Sequence, residues 1–248
     1  LSSSEQRARI EAEGRKVETQ LREAVLSNQR LVIVKAPPGS GKTHLLTKVA
    51  GEVASDPGRL RVAIACQTNS QADDVCRRLA GVASRVPVIR FGSSHGQPGP
   101  GLPATVPWVT KAGDLPDHAC LVIGTSAKWG LIDPPEPFDV LFVDEAWQLA
   151  HKDFQLLTQV APRFVLIGDP GQIPPVITVP TLRWQTLQQA PHRPAPEVLL
   201  GLSGIAPVLL QLPATRRLPF DSAQLVRAFY DFDFAALAEP GERALRLE

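Results

Sequence analysis

What this sequence has little of narrows it first. Only three cysteines, Cys66, Cys76 and Cys120, occur in 248 residues, and none forms a Cys-x-x-Cys pair. A disulfide framework is therefore excluded and a reducing setting fits. The five histidines, His44, His95, His118, His151 and His192, never take metal-ligand spacing, so no zinc site is expected. No uninterrupted apolar run approaches the roughly 20 residues of a membrane span, and the polar N-terminus has no signal-peptide core. A cytoplasmic protein that is neither membrane-embedded nor secreted is expected. Charge of either sign is not in excess: 26 Lys plus Arg stand against 25 Asp plus Glu, a net +1. Bulk positive charge cannot hold this chain on nucleic acid, so any such site must be local. Methionine is absent and the chain begins at Leu1, so its ends are expected to differ from those of the gene product. What is present, 44% hydrophobic and 21% charged residues, is ordinary globular composition.

The apolar residues are grouped into short runs. Residues 3–29 have a capped helical period, with Ser4 followed by Arg7, Ile10, Val17, Leu21, Ala24 and Val25, and predict one or two helices. The runs Leu31–Val34, Val62–Cys66, Pro87–Arg90, Cys120–Ile123, Val140–Val143 and Phe164–Ile167 read as strands, with helical stretches after the first two. Such runs alternating with helices predict an α/β fold, a mostly parallel sheet covered by helices on both faces. The stretches 92–117 and 174–196 are rich in Pro and Gly and are expected to be loops or small insertions rather than sheet. A last strand over Val208–Leu212 and a helix over Ser222–Tyr230 complete the chain. The expected organisation is an N-terminal helical segment (1–30), a nucleotide-binding domain (31–205) with a short insertion near 92–117, and the truncated start of a second domain (206–248).

Between the first strand and its helix lies Pro37-Pro38-Gly39-Ser40-Gly41-Lys42-Thr43. A phosphate cradle needs small residues whose amides turn inward, with a helix N-terminus behind them. In that context Pro38 to His44 would surround a nucleotide triphosphate, Lys42 would reach the β- and γ-phosphates, and the Thr43 hydroxyl would ligate Mg2+. The first position of the usual pattern is Ala36 instead of glycine, where Pro37-Pro38 stiffens the turn. A flexible solvated loop is the alternative that the flanking strand and helix argue against. A second requirement is a carboxylate at a strand end to hold Mg2+ and another to orient or deprotonate water. Val140 to Val143 ends in Asp144-Glu145, with Asp144 the Mg2+ candidate and Glu145 the base. The bland alternative is a helix start decorated with acids.

Together these residues resemble the first RecA-like domain of superfamily 1 helicases, in particular the branch containing the RNA-decay helicases. Ala65 to Asp73 resembles that family's motif after the second strand, which contacts single-stranded nucleic acid. Gly168-Asp169-Pro170-Gly171-Gln172-Ile173-Pro174-Pro175 is similar to its G-D-x-x-Q-L-P-P motif, and Leu212 to Pro219 to the motif that opens the second domain. The resemblance implies that Gln172 senses the γ-phosphate and that Arg217 is an arginine finger, with Arg216 competing. It also implies an adenine-reading glutamine upstream of the loop, for which Gln20 has the spacing and Gln6 is second. The family's inserted domain has only residues 92–117 to represent it.

Thr68 and Asn69 follow a strand at the edge where open α/β sheets bind ligands, and contacts to a nucleic-acid strand are expected from them. An Asn-Ser turn capping the next helix is the alternative. Thr125-Ser126 either extends the same track or caps a helix. Trp108, Trp129, Trp147 and Trp184 could stack bases, although tryptophans are more often core. The expected activity is ATP hydrolysis with Mg2+, coupled to binding or translocation on single-stranded DNA or RNA. An ATP-dependent switch or scaffold that regulates a protein partner is the rival, and a small-molecule kinase is a third reading for which no acceptor site is evident.

Overall fold

The computed structural model describes residues 3–82, 85–204 and 206–242. Residues Ser3–Leu26 form one long helix, α1, followed by β1 (Leu31–Lys35), α2 (Lys42–Ser55), β2 (Arg61–Cys66), α3 (Asn69–Val82), β3 (Val88–Phe91), β4 (Trp108–Val109) and β5 (Cys120–Thr125). Then come α4 (Ser126–Trp129), β6 (Val140–Val143), α5 (His151–Leu157), β7 (Phe164–Gly168), α6 (Ala195–Leu200) and β8 (Val208–Gln211). The chain closes with β9 (Ala214–Thr215), α7 (Phe220–Arg227) and β10 (Ala235–Ala236). Strands β4-β3-β5-β2-β6-β7-β1-β8 make one eight-stranded sheet whose neighbours all pair in parallel.

Alternate residues of these strands enter two separate cores, which is why the runs are apolar throughout. Val32, Val34, Val62, Ile64, Leu121, Ile123, Phe142 and Val165 pack beneath α1, α2 and α3. Leu31, Ile33, Ala63, Ala65, Val122, Leu141, Val143 and Leu166 pack on the other face against Trp129, Phe154, Leu157 and Leu199 from α4, α5 and α6. The α/β class with helices on both faces is thus the fold observed. Burial also accounts for the thiols: all three cysteines are unpaired and buried, and desolvation pushes Cys76 up to about 12 and Cys120 up to about 11.

Two expectations change. Residues 92–117 are not wholly outside the sheet, because Trp108 and Val109 pair with Arg90 and Phe91 as an edge strand. The reason lies in one side chain: the Arg90 guanidinium sits 5.1 Å from the centroid of the Trp108 ring and draws the segment to the sheet. Strand β8, assigned by sequence to a second domain, pairs with β1 as the outer strand of the main sheet. A separate two-stranded parallel sheet, β9 with β10, begins only after it, with α7 between its strands. Residues 243–248 of the expected second domain lie outside the described residues. Among the described residues no helix is long and apolar enough to cross a membrane.

Two of the tryptophans are core. Trp147 is buried. Trp129 is buried too, its indole N–H donates to the Ile64 carbonyl at 2.9 Å, and its ring packs on Phe91 at 5.0 Å and Phe138 at 5.3 Å. Trp129→Ala is expected to lower the free energy of urea unfolding by about 3–5 kcal/mol, the cost of a cavity plus the lost indole hydrogen bond.

Candidate functional site

The loop between β1 and α2 turns on two glycines. Gly39 (φ 68°) and Gly41 (φ 92°) are left-handed, a backbone that other residues adopt only with strain. At Gly39 a side chain is also excluded by space, since a Cβ would lie 2.2 Å from Cβ of Arg217. The loop's outer carbonyls are occupied: Thr215 Oγ1 donates to the Pro38 carbonyl at 2.6 Å and the Arg216 amide to that of Gly39 at 2.9 Å. The Ser40 hydroxyl is buried and has no hydrogen-bond partner among the described residues, as a group waiting on a ligand oxygen would be.

Sheet order places this loop beside the end of β6, one strand removed. Lys42, buried, extends its Nζ to 3.4 Å from Oε1 of Glu145, and Thr43 Oγ1 donates to Oδ2 of Asp144 at 3.3 Å. Lys42, Thr43, Asp144 and Glu145 are therefore brought together. Glu145 has a left-handed backbone (φ 52°, ψ 45°) at the entry of a 3-10 turn over Ala146–Gln148, strain that non-glycine residues adopt where the surroundings hold them. Its amide donates to Asp144 Oδ1 at 3.0 Å, while its own Oε2 is buried and lacks a hydrogen bond among the described residues. Burial and the neighbouring Glu145 charge push the Asp144 carboxyl up to about 6, against the opposing Glu145 amide, Lys42 and Thr43.

That carboxyl pair suits a divalent cation. It holds more negative charge in a dry place than Lys42 alone offsets, and Thr43 and Asp144 already touch through atoms that serve as Mg2+ ligands. Among the described residues no cluster of three or more His, Cys, Asp or Glu has metal-binding geometry. A cation here would thus complete its shell with phosphate oxygens and water, supplying charge neutralisation at the transferred phosphoryl group.

On the outer side of the loop a cavity of about 610 Å3 is lined by Ser40, Gly41, His44 and Leu45 of the loop and α2, by Leu212, Pro213 and Arg216, and by α1. The α1 residues are Ile10, Glu11, Gly14, Arg15 and Glu18, an i, i+3, i+4, i+7 stripe legible in the sequence but not singled out there. Gln20 does not join them. It is exposed, about 200° around the helix from Glu18, and Gln6 is likewise absent from the lining. Arg216 and Arg217 are both exposed, Arg216 on the cavity and Arg217 with its backbone against Gly39. Gln172 accepts a hydrogen bond from Gln148 Nε2 at 3.3 Å, and so connects to the turn that begins at Glu145.

At the C-terminal edge of the sheet Thr68 and Gln71 cap α3 reciprocally, Thr68 N to Gln71 Oε1 at 3.0 Å and Gln71 N to Thr68 Oγ1 at 3.2 Å. Thr125 caps α4 by accepting from the Lys128 amide at 3.1 Å. Sequence reasoning overlooked Arg90, whose signal was a guanidinium inside an apolar run. Fully buried, it pairs with Asp73 at 2.7 Å and donates to Asn69 Oδ1 at 2.8 Å. A guanidinium only donates, so the exposed Asn69 amide must turn its oxygen inward and its NH2 outward.

The raised Asp144 carboxyl has a consequence for stability. Between the unfolded value near 3.8 and the folded value of about 6 the native protein holds this proton more tightly than the unfolded chain does. Stability contributed by Asp144 therefore falls as pH rises through that window, and the penalty is complete above it. Asp144→Asn is expected to raise unfolding free energy of the nucleotide-free protein by about 2–3 kcal/mol at pH 7.5. In urea titrations the gain should shrink toward zero near pH 4.

Comparison with known proteins follows the same lines. A family model described as AAA domain matches residues 18–195, more than half of the chain. Among solved structures, the PRRSV helicase matches with a TM-score of 0.50 and 19% identity over 88% of this chain and 38% of that one. Arterivirus nonstructural protein 10, a helicase, matches in a complex with DNA (TM-score 0.50, 18% identity, 90% of this chain and 45% of that one) and in a second crystal structure (TM-score 0.51, 18% identity, 86% and 43%). The chain thus spans less than half the length of these helicases. No curated protein matches it. A family match of this extent, on a parallel sheet with this loop and strand order, makes the chain a member of the AAA domain family, with the α/β fold that these helicases share.

Proposed function

We propose that this chain hydrolyses ATP with Mg2+ as the motor domain of a helicase-like enzyme whose turnover is coupled to single-stranded nucleic acid. The observation that carries the reading is the meeting of Lys42 and Thr43, at the start of α2, with Asp144 and Glu145, at the end of β6. Lys42 would exchange its Glu145 partner for the β- and γ-phosphates. That exchange frees Glu145, whose second oxygen already lacks a partner among the described residues, to orient and deprotonate the attacking water. Thr43 and Asp144 would hold Mg2+, and Gln172, joined to the Glu145 turn through Gln148, would sense the γ-phosphate. Arg216 or Arg217 would supply positive charge to the transition state, worth about 10^3 to 10^5 in rate for such a finger. The parallel β9-α7-β10 unit supports the idea that a second RecA-like domain begins at Ala214, after β8.

For the strand, Asn69 carries the support. Its outward NH2, fixed by Arg90, is a donor suited to phosphate oxygens, which only accept. The same edge offers Thr68 and Thr125, whose oxygens accept from backbone amides and whose hydroxyl protons remain to donate. The arterivirus protein seen with DNA has the same fold.

Phosphate release measured with ATP and Mg2+ should be stimulated by single-stranded DNA or RNA in the wild type. Turnover stimulated by neither would favour the ATP-dependent switch. Lys42→Ala should abolish hydrolysis, whereas Glu145→Gln should keep nucleotide binding and lose about 10^2 to 10^4 in kcat. Intact turnover in Lys42→Ala would refute the assignment. Asn69→Asp keeps an acceptor for Arg90 but turns a carboxylate oxygen outward. By fluorescence anisotropy with oligothymidylate it should weaken binding about tenfold or more at unchanged KM for ATP.

A further inference from the structure

The chain has one tyrosine, Tyr230, in the turn that follows α7. Its ring belongs to the C-terminal unit: it packs edge-on against Phe232 (centroids 5.5 Å apart) and Phe234 (5.2 Å), whose side chains are buried in that unit's own small core with Ala223. Its hydroxyl belongs to the main domain. It donates to Oδ1 of Asp169 at 2.7 Å, the aspartate that opens the loop after β7.

Asp169 is buried, at 1% exposure, and organises that loop. The same Oδ1 accepts the Gly171 amide at 2.9 Å, and the Asp169 carbonyl accepts the Gln172 amide at 3.2 Å. Gly171 has to be glycine for the phenol to arrive, since a Cβ there would lie 2.3 Å from the Tyr230 hydroxyl oxygen. The next residue, Asp231, pairs with Lys35 at the end of β1, a lysine only 7% exposed. Two buried charged groups of the main domain therefore take side-chain partners from two consecutive residues of the C-terminal unit. Buried charge is tolerated only when it is paired. Withdrawing the unit would leave Asp169 bonded to its own loop alone, and Lys35 without its carboxylate. The contact is thus made or broken as a whole, and from Asp169 the bonds continue through Gln172 and Gln148 to the Glu145 turn.

We infer that Tyr230 is a positioning residue for the Gln172 loop, through which displacement of the β9-α7-β10 unit is read at the nucleotide site. This rests on the ATPase reading above. Burial and the Asp169 carboxylate raise the phenol's pKa, which keeps Tyr230 a donor throughout the pH range of an assay.

A single tyrosine makes the test direct. The wild-type chain labelled with 3-fluorotyrosine gives one 19F resonance, which should shift on addition of a nonhydrolysable ATP analogue with Mg2+. Tyr230→Phe keeps the ring packing and removes the hydroxyl. Its kcat should fall about tenfold, the loss of one charge-assisted hydrogen bond, with KM for ATP unchanged within about twofold. Gly171→Ala, which displaces the phenol, should reproduce that loss. Support requires both the moving resonance and the lowered kcat. If the analogue raises the melting temperature but the resonance stays still, or if Tyr230→Phe turns over at the wild-type rate, the inference is overturned while the ATPase reading stands. A wild type that neither binds the analogue nor hydrolyses ATP would remove both.

Discussion

Two adjacent carboxylates, Asp144 and Glu145, lie at the buried end of β6, and much of the molecule is arranged around the repulsion between them. Like charges in a dry site cannot both stay ionised at no cost. The structure answers with a lysine at 3.4 Å, a threonine hydroxyl at 3.3 Å, a backbone amide and a raised Asp144 pKa. None of these relieves the strain in full, because Glu145 keeps a left-handed backbone and an unmet oxygen among the described residues. The site is held in a state that a polyphosphate and a divalent ion would improve. That bias gives the nucleotide-free protein a reason to bind, separate from any contact made with the base.

The surroundings of the phosphate loop are shared between two parts of the chain. Its inner side faces β6, while its outer carbonyls are bound by Thr215 and Arg216 and its first glycine is pressed by Arg217. The segment 214–231 therefore touches the loop at Pro38 and Gly39, the end of β1 at Lys35 and the loop after β7 at Asp169. These three places border one another because β1 and β7 are neighbours in the sheet. A small unit that spans such a seam can be sensitive to changes at any of the three without an extended relay.

Sequence and structure agree where periodicity and local chemistry decide the outcome. The six apolar runs lie in strands with ends displaced by at most two residues, since strands buried on both faces leave no other pattern. The juxtaposition of Lys42 and Thr43 with Asp144 and Glu145 was readable because a phosphate loop of this kind requires a carboxylate at the end of a nearby buried strand, and Val140 to Val143 ends in two. What escaped the sequence was long-range. Trp108 joins the sheet because Arg90, 18 positions earlier, stacks on it. Gln20 had the right spacing along the chain, but the face it occupies on α1 was fixed by Val17, Leu21 and Ala24, which took the buried side. The Tyr230–Asp169 bond joins residues 61 apart, and although Asp169 stands in a legible motif, nothing in the sequence pairs it with Tyr230.

The outer cavity has an unevenly secured wall. Helix α1 is anchored to the core only from Val17 onward, whereas the cavity is lined by residues from Ile10 to Glu18. From Ser4 to Arg9 every residue is exposed. Turns that bury no side chain in the core fray at low free energy, and the surface pairs Arg7–Glu11 and Arg9–Glu13 add little to hold them. Of the cavity's boundaries this one yields first, so amide hydrogens in the leading turns of α1 should exchange with solvent sooner than those of α2. A ligand held in this cavity would then leave by the unwinding of a helix end rather than by movement of the phosphate loop.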